Sequence, residues 1–224
     1  MPVSCLEILS GMDGDSRKTP IDLRTCGDPK RKPKAQADGS IGYEIPEGGY
    51  FYYAYVGKVG GTDILSLRSS GGGSGHFTAL VGVRQDGRLL RWVRDYAGGD
   101  RCNGGISNES VSNGKLTFDQ AITPYDLVDL AQLKTKLAAY KDLEASAASC
   151  IGVVHLNGDT AHWTGVTLTE KDWSDQKGWT DNYRYQACFN QLYRQTVATG
   201  HAELDRRGVA AFGAAFARRC LAAR

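Results

Sequence analysis

The apolar positions of this chain alternate with polar ones through its middle and recur at helical spacing towards its end. Tyr50-Phe51-Tyr52-Tyr53-Ala54-Tyr55-Val56 is aromatic and β-prone. Gly60-Gly61 follows as a tight turn, and Thr62 to Arg68 forms a second strand. Ser69 to Gly75 is a glycine-serine loop, and His76 to Val83 a third strand. Asp86-Gly87 signals a hairpin into a fourth strand, Arg88 to Tyr96. A glycine-rich loop, Ala97 to Gly105, comes next. Lys115 to Phe118 adds a short strand after Asn113-Gly114, and Cys150 to Leu156 pairs with Ala161 to Thr169 across Asn157-Gly158.

Two regions carry the helical period. Thr123-Pro124-Tyr125-Asp126 reads as a helix start. Thr caps, Pro suits the first turn, and the acid complements the dipole. Leu127, Leu130, Leu133, Leu137 and Tyr140 then recur on one face. Two more helices are expected, roughly 181–198 and 202–222. They are separated by Thr199-Gly200-His201, and Val209, Phe212, Phe216 and Cys220 form a core-facing stripe. The order of elements predicts an α+β fold, a mostly antiparallel sheet made of a β meander plus a hairpin, packed with three or more helices. We expect one domain over 1–224. It divides into a loop-rich segment 1–40, a β-rich body 41–170 with one helix, and a helical part 171–224.

Composition sharpens this picture. The 224 residues include 28 glycines, where roughly 16 would be ordinary, and 41% are hydrophobic. That combination means many tight turns rather than collagen or disorder. Lys and Arg number 27 against 25 Asp and Glu, too small a surplus for a dedicated nucleic-acid binder. No apolar run reaches about 18 residues, so no membrane insertion is expected. The run Pro29-Lys30-Arg31-Lys32-Pro33-Lys34 resembles a nuclear localisation signal, but we read it as a solvated surface loop.

Cys5, Cys26, Cys102, Cys150, Cys188 and Cys220 form no CxxC pair, so they lack the spacing of structural zinc ligands. Their even number, and the polar, glycine-rich surroundings of Cys26 and Cys102, point to a disulfide-stabilised fold in an oxidising compartment. Six cysteines allow 15 connectivities, of which Cys5 with Cys26 is the simplest local pairing. Met1 to Ser10 shows no basic region followed by a long apolar stretch. A secreted or periplasmic location therefore expects a leader already removed. Asn108-Glu109-Ser110 is a glycosylation sequon, meaningful only on a eukaryotic secretory route.

Candidate chemistry is sparse. Gly71 to Gly75 precedes a strand and lacks a following Gly-Lys-Ser/Thr, while Gly114-Lys115 is followed by Leu116, so no P-loop is present. No cofactor motif and no metal set are evident. His155 and His162 lie one diagonal apart if Asn157-Gly158 is the turn and His155 faces Thr160, without a third ligand nearby.

The hairpin around Asp86-Gly87 is sharper. With those two residues as a type I′ turn, Gln85 pairs with Arg88, Thr78 faces Asp95, and His76 faces Ala97. Phe77, Ala79, Val81 and Val83 then share a buried face with Leu90, Trp92 and Tyr96. His76 and Asp95 become diagonal neighbours, roughly 7–8 Å apart at Cα, a base beside its orienting carboxylate. Ser4-Cys5-Leu6-Glu7 fits a capping box that puts Cys5 first on a short helix, where the dipole favours the thiolate. Cysteine on a helix, His opening a strand and Asp on the next strand follow the chain order of papain-like amidases. Gly75-His76-Phe77-Thr78-Ala79-Leu80-Val81-Gly82-Val83 resembles the histidine strand of the NlpC/P60, CHAP and C39 peptidase families. That resemblance implies cleavage of a peptide or peptidoglycan amide, with Cys5 as nucleophile, His76 as general base and Asp95 as orienter.

The loop after the fourth strand offers Arg94, Tyr96 and Arg101 as binding residues, suited to a partner's carboxylate or aromatic cleft. On these grounds we expect a secreted or periplasmic, non-catalytic binding protein whose partner is a protein or a cell-envelope component. The alternative is a cysteine amidase.

Overall fold

The fold is described from a computed structural model covering residues 1–12, 14–28, 30–169 and 182–222. The chain divides into two compact units. One comprises Met1–Asp100, Asn108–Thr117 and Gly158–Thr160; the other comprises Arg101–Ser107, Phe118–Asn157 and Ala161–Arg224.

The first unit opens with helix α1 (Val3–Ser10), and a 3-10 turn (Gly14–Lys18) comes after it. Its strands are β1 (Ile21–Asp22), β2 (Lys34–Ala35), β3 (Ile41–Ile45), β4 (Gly49–Val59), β5 (Thr62–Ser70), β6 (Phe77–Asp86) and β7 (Leu89–Asp100). They form one sheet in the order β1-β7-β6-β5-β4-β3-β2. Along β4 the alternation does its expected work. Phe51 and Tyr53 are buried, while Tyr50 and Tyr52 on the other face are half-buried. The buried row meets Val3, Cys5, Leu6 and Leu9 of α1 together with Leu65, Leu67, Val81 and Leu90. Each such aliphatic side chain contributes about 1.5–3 kcal/mol on full burial. Gly60 and Gly61, with φ of +52° and +77°, turn β4 into β5 so that Val59 pairs with Thr62, as the Gly-Gly pair predicts.

The β6–β7 hairpin departs from expectation. Asp86 pairs with Leu89 and Gln85 with Leu90, so the turn is Gly87-Arg88 rather than Asp86-Gly87. Gly87 holds φ +58° at the first central position, where glycine sits in a type II′ turn. Two bulges shift the register further, one between Leu80 and Val81 and one between Gly82 and Val83. Each places an extra residue on β7 and re-aims the side chains beyond it. Val81 therefore faces Asp95, and Phe77 faces Asp100. Ala97 to Asp100 is strand, not loop. Phe77 ends up half exposed, and Trp92 packs against the core while Tyr96 does not.

Further along the chain, β8 (Ile106–Ser112) and β9 (Lys115–Ile122), which the two units share, precede helix α2 (Pro124–Leu130). Then come β10 (Gly152–Asn157), β11 (Asp159–Leu168), helix α3 (Gln186–Ala198), β12 (Glu203–Leu204) and helix α4 (Arg206–Phe216), which ends in a π-helical turn, Ala217–Leu221. A second antiparallel sheet runs β12-β11-β10-β9-β8. The capping box at α2 is present in full: Thr123 Oγ1 accepts from the Asp126 N–H and Asp126 accepts from the Thr123 N–H at 2.8 Å. The helix is shorter than its leucine spacing predicts. It stops at Leu130, and Gln132 is left-handed with φ +52°. Phe189 on α3 stands at the centre of an aromatic cluster with Tyr193, Phe212 and Phe216. The start of the expected 181–198 helix lies partly outside the described residues; the described helix begins at Gln186.

The architecture is thus α+β with two antiparallel sheets and, among the described residues, four α-helices. All six cysteines are bonded: Cys5–Cys26, Cys102–Cys150 and Cys188–Cys220. The local Cys5–Cys26 pairing is the observed one. No described helix is long and apolar enough to cross a membrane.

Candidate functional site

The outward face of the first unit's sheet carries a row set by strand register. Lys34 pairs with Gly42, Gly42 with Tyr52, and Tyr52 with Arg68. Gly42 matters because it has no side chain. A Cβ there would lie 2.3 Å from Tyr52 Cδ1, so the tyrosine ring lies over the glycine backbone. The neighbouring ring, Tyr50, is 5.7 Å from Tyr52 at a tilt of 39°. Tyr50 also stacks on His76 at 6.0 Å and 22°, and its hydroxyl is 3.0 Å from His76 Nδ1. Three rings in sequence thus line one edge of the face.

Two depressions adjoin along this face. One, of about 430 Å³, is lined by Tyr50, Tyr52, Gln36, Asp38, Ser40 and Arg68. The other, of about 770 Å³, shares Tyr52 and Gln36, adds Lys30, Lys32, Lys34 and Glu44, and reaches round the strand edge to Asp28, Arg31 and the core-side Tyr43. The cations differ in their freedom. Arg31 donates to the Tyr43 hydroxyl at 2.7 Å, sits 4.9 Å over the Tyr43 ring, and pairs with Glu7 and Asp28. Those contacts, the Tyr43 hydrogen bond foremost, raise its pKa further. Arg68 pairs with Asp38. Hydrogen bonds from the Ser40 hydroxyl and then from Arg68 hold the Asp38 carboxyl well below the usual carboxylate range. Lys30, Lys32 and Lys34 are exposed, and among the described residues their ammonium groups have no ion-pair or hydrogen-bond partner.

The residues expected from sequence are dispersed. Cys5 is the third helical residue of α1, not the first, because Pro2 occupies the cap and Ser4 Oγ accepts from the Asp28 N–H instead of capping. Cys5 is fully buried in its bond to Cys26 and has no thiol to act as nucleophile. His76 turns to Tyr50, and its backbone N–H donates to Asp100. Asp95 accepts from Arg17 at 2.9 Å. The turn at Gly87-Arg88, which shifts the register by two residues, and the bulges beyond it separate His76 from Asp95. Arg94 lies 4.5 Å over the Tyr96 ring, so these two candidate binding residues engage each other. Arg101 comes directly after β7 with φ +46°, just before the Cys102–Cys150 bond.

In the second unit a polar chain joins four neighbouring strands. His155 on β10 meets Asp119 on β9 through Nδ1 at 2.6 Å and Thr167 on β11 through Nε2 at 2.7 Å. Thr167 donates its hydroxyl proton to Glu203 on β12 at 2.8 Å. The set has the members of an acid-histidine-hydroxyl triad but the wrong proton order. The threonine proton is directed to Glu203, whereas a triad needs a hydroxyl that gives its proton to the imidazole. Both imidazole nitrogens are occupied, which leaves none for a metal shared with His162. The register also differs from expectation: the Thr169 N–H donates to Ile151 O at 2.8 Å, and Gly165 lies against the His155 ring. Among the described residues no group of three or more His, Cys, Asp or Glu side chains is placed to hold a metal ion.

Sequence reasoning missed the tyrosine-lysine face. The basic run and the aromatic strand are each visible, but nothing local shows that β2 and β3 carry one to the edge of the other. The chain matches no protein-family model, no curated protein and no solved structure.

Proposed function

We propose that this is a secreted or periplasmic binding protein that recognises a cell-envelope component through the tyrosine-lysine face of its first unit. The observation that carries the proposal is the pair of adjoining depressions joined at Tyr52, where ring faces, hydrogen-bonding side chains and exposed ammonium groups converge. Concave surfaces with aromatic walls and a few placed polar groups are the usual form of a ligand site. Three disulfides in 224 residues support an oxidising compartment, where envelope material is met. Catalysis by a cysteine nucleophile has no residue to run on, since every cysteine is bonded.

Cosedimentation with washed bacterial envelopes tests the proposal. Wild type should pellet with the envelopes, and Tyr52→Ala, with an unchanged circular dichroism spectrum, should stay largely in the supernatant. Wild type that remains in solution over all envelope preparations overturns the proposal, as does Tyr52→Ala that pellets like wild type.

A further inference from the structure

We propose that the ligand of this face is an acidic glycan, a polysaccharide whose sugar rings carry carboxylate or other anionic groups. The inference rests on the proposed binding role and names its substrate class. Three features on one surface support it.

The first is the ring platform. Tyr52 and Tyr50 present half-buried faces 5.7 Å apart with a modest tilt, and the absence of a side chain at Gly42 lets Tyr52 lie down over the sheet. A pyranose ring has one face of C–H bonds, and these pack on the electron-rich face of an aromatic ring. Removing water from both surfaces adds to the contact.

The second is the polar lining beside the rings. Gln36, Asp38 and Ser40 offer acceptors and donors for hydroxyls. The Asp38 carboxylate, kept ionised by Ser40 and Arg68, accepts three hydrogen bonds and keeps capacity for about one more, on the oxygen that faces Arg68. A plain anion site would have no use for a carboxylate here; a polyhydroxylated ring does.

The third is the lysine row. Lys30, Lys32 and Lys34 line the larger depression and are exposed, and their ammonium groups have no partners among the described residues. Fixed cations beside a sugar platform fit anionic substituents spaced along a polymer. A nucleic acid suits the face less well, because its unbroken phosphate row would meet Asp28, Asp38 and Glu44, whereas a glycan can set uncharged hydroxyls against those carboxylates and its anionic groups against the lysines.

The test uses two probes of identical ring and linkage: hexagalacturonate, and the same oligomer with its carboxylates methyl-esterified. Calorimetry or fluorescence titration of the full chain should show the acid binding about tenfold tighter or more than the ester, with affinity falling as salt rises. The triple variant Lys30→Gln, Lys32→Gln, Lys34→Gln should lower affinity for the acid on the order of tenfold, each exposed charge contributing about two- to fivefold. Its affinity for the ester should not change. Tyr52→Ala should weaken both probes together. Should Tyr52→Ala fold poorly, Tyr50→Ala serves as a second variant, removing the neighbouring ring of the platform. Equal binding of acid and ester, or a lysine variant indistinguishable from wild type on the acid, overturns the inference. Preferential binding of a single-stranded oligonucleotide over hexagalacturonate overturns it as well. Envelope cosedimentation that survives any of these outcomes leaves the broader binding role standing, so the two failures are distinguishable.

Discussion

Gly213 lies on the buried side of α4, beside Val209, Phe212 and Phe216. Its backbone is ordinary helix, so alanine is allowed there by conformation, and on propensity alone Gly213→Ala should stabilise by about 1 kcal/mol. Packing reverses the sign. A Cβ at 213 would stand 2.3 Å from Ala131 Cβ and 3.2 Å from Leu133 Cδ2. Carbon atoms pack at roughly 3.5–4.0 Å, so α4 and the end of α2 must part by about 1 Å or more. Neither Ala131 Cβ nor a new alanine Cβ has a rotamer with which to yield. Overpacking of this kind costs about 1–3 kcal/mol, and with two rigid Cβ atoms the upper half of that range applies. The net expectation is a loss of about 1–2 kcal/mol, or about 2–8 °C in Tm for a chain of this size. Thermal and urea unfolding followed by circular dichroism measure it. The paired variant Ala131→Gly with Gly213→Ala moves one methyl group across the contact and should recover most of the loss, a favourable coupling in a double-mutant cycle. A Gly213→Ala protein at least as stable as wild type would refute the packing argument, and so would a double variant no better than the single one.

Two further expectations come from the same structure. Burial first, and then the hydrogen bond to Glu7, push the Tyr43 phenol up to about 12 from an ordinary 10. The folded chain therefore holds this proton where the unfolded chain releases it. The contribution of Tyr43 to stability is complete below pH 10 and is lost as pH rises through about 12. Absorbance titration at the phenolate band should show one tyrosine step removed in Tyr43→Phe near that upper pH; a difference confined to pH 10 contradicts it. Cys102 and Cys150 are 48 residues apart, and their bond restricts the unfolded chain by about 4 kcal/mol. Cys102→Ala with Cys150→Ala should lower the urea midpoint correspondingly, and a loss below about 1 kcal/mol would mean that the unfolded state is already constrained there.

Much of the local structure is legible from residue types alone, because its causes lie within a few residues. Gly60-Gly61 supplies two positive φ angles and makes its hairpin. Thr123 and Asp126 cap α2 by bonds three residues apart. The Phe212 and Phe216 stripe faces the core because helical period demands it. The six cysteines pair completely, and Cys5 finds the partner nearest in sequence.

The features that sequence does not show depend on partners far along the chain. The bulges of β7 answer to the twist and packing of the sheet, and together with the turn at Gly87-Arg88 they take Asp95 away from His76. α2 ends at its cap residue Ala131, whose methyl group fits only because Gly213, about eighty residues away, has no side chain. His155 meets Asp119 and Thr167 only because β9, β10 and β11 are neighbours in the sheet. The basic run 30–34 reads as a solvated loop, and its lysines are indeed exposed. Strand order converts it into one wall of a depression, since β2 pairs with β3 and β3 with β4, bringing Lys34, Gly42 and Tyr52 into one row. Turn chemistry and periodicity are short-range properties that a residue carries with it. Register, strand order and the ring laid over Gly42 are long-range ones, chosen by which packing buries the most surface with the fewest clashes, and they exist only once the chain has folded.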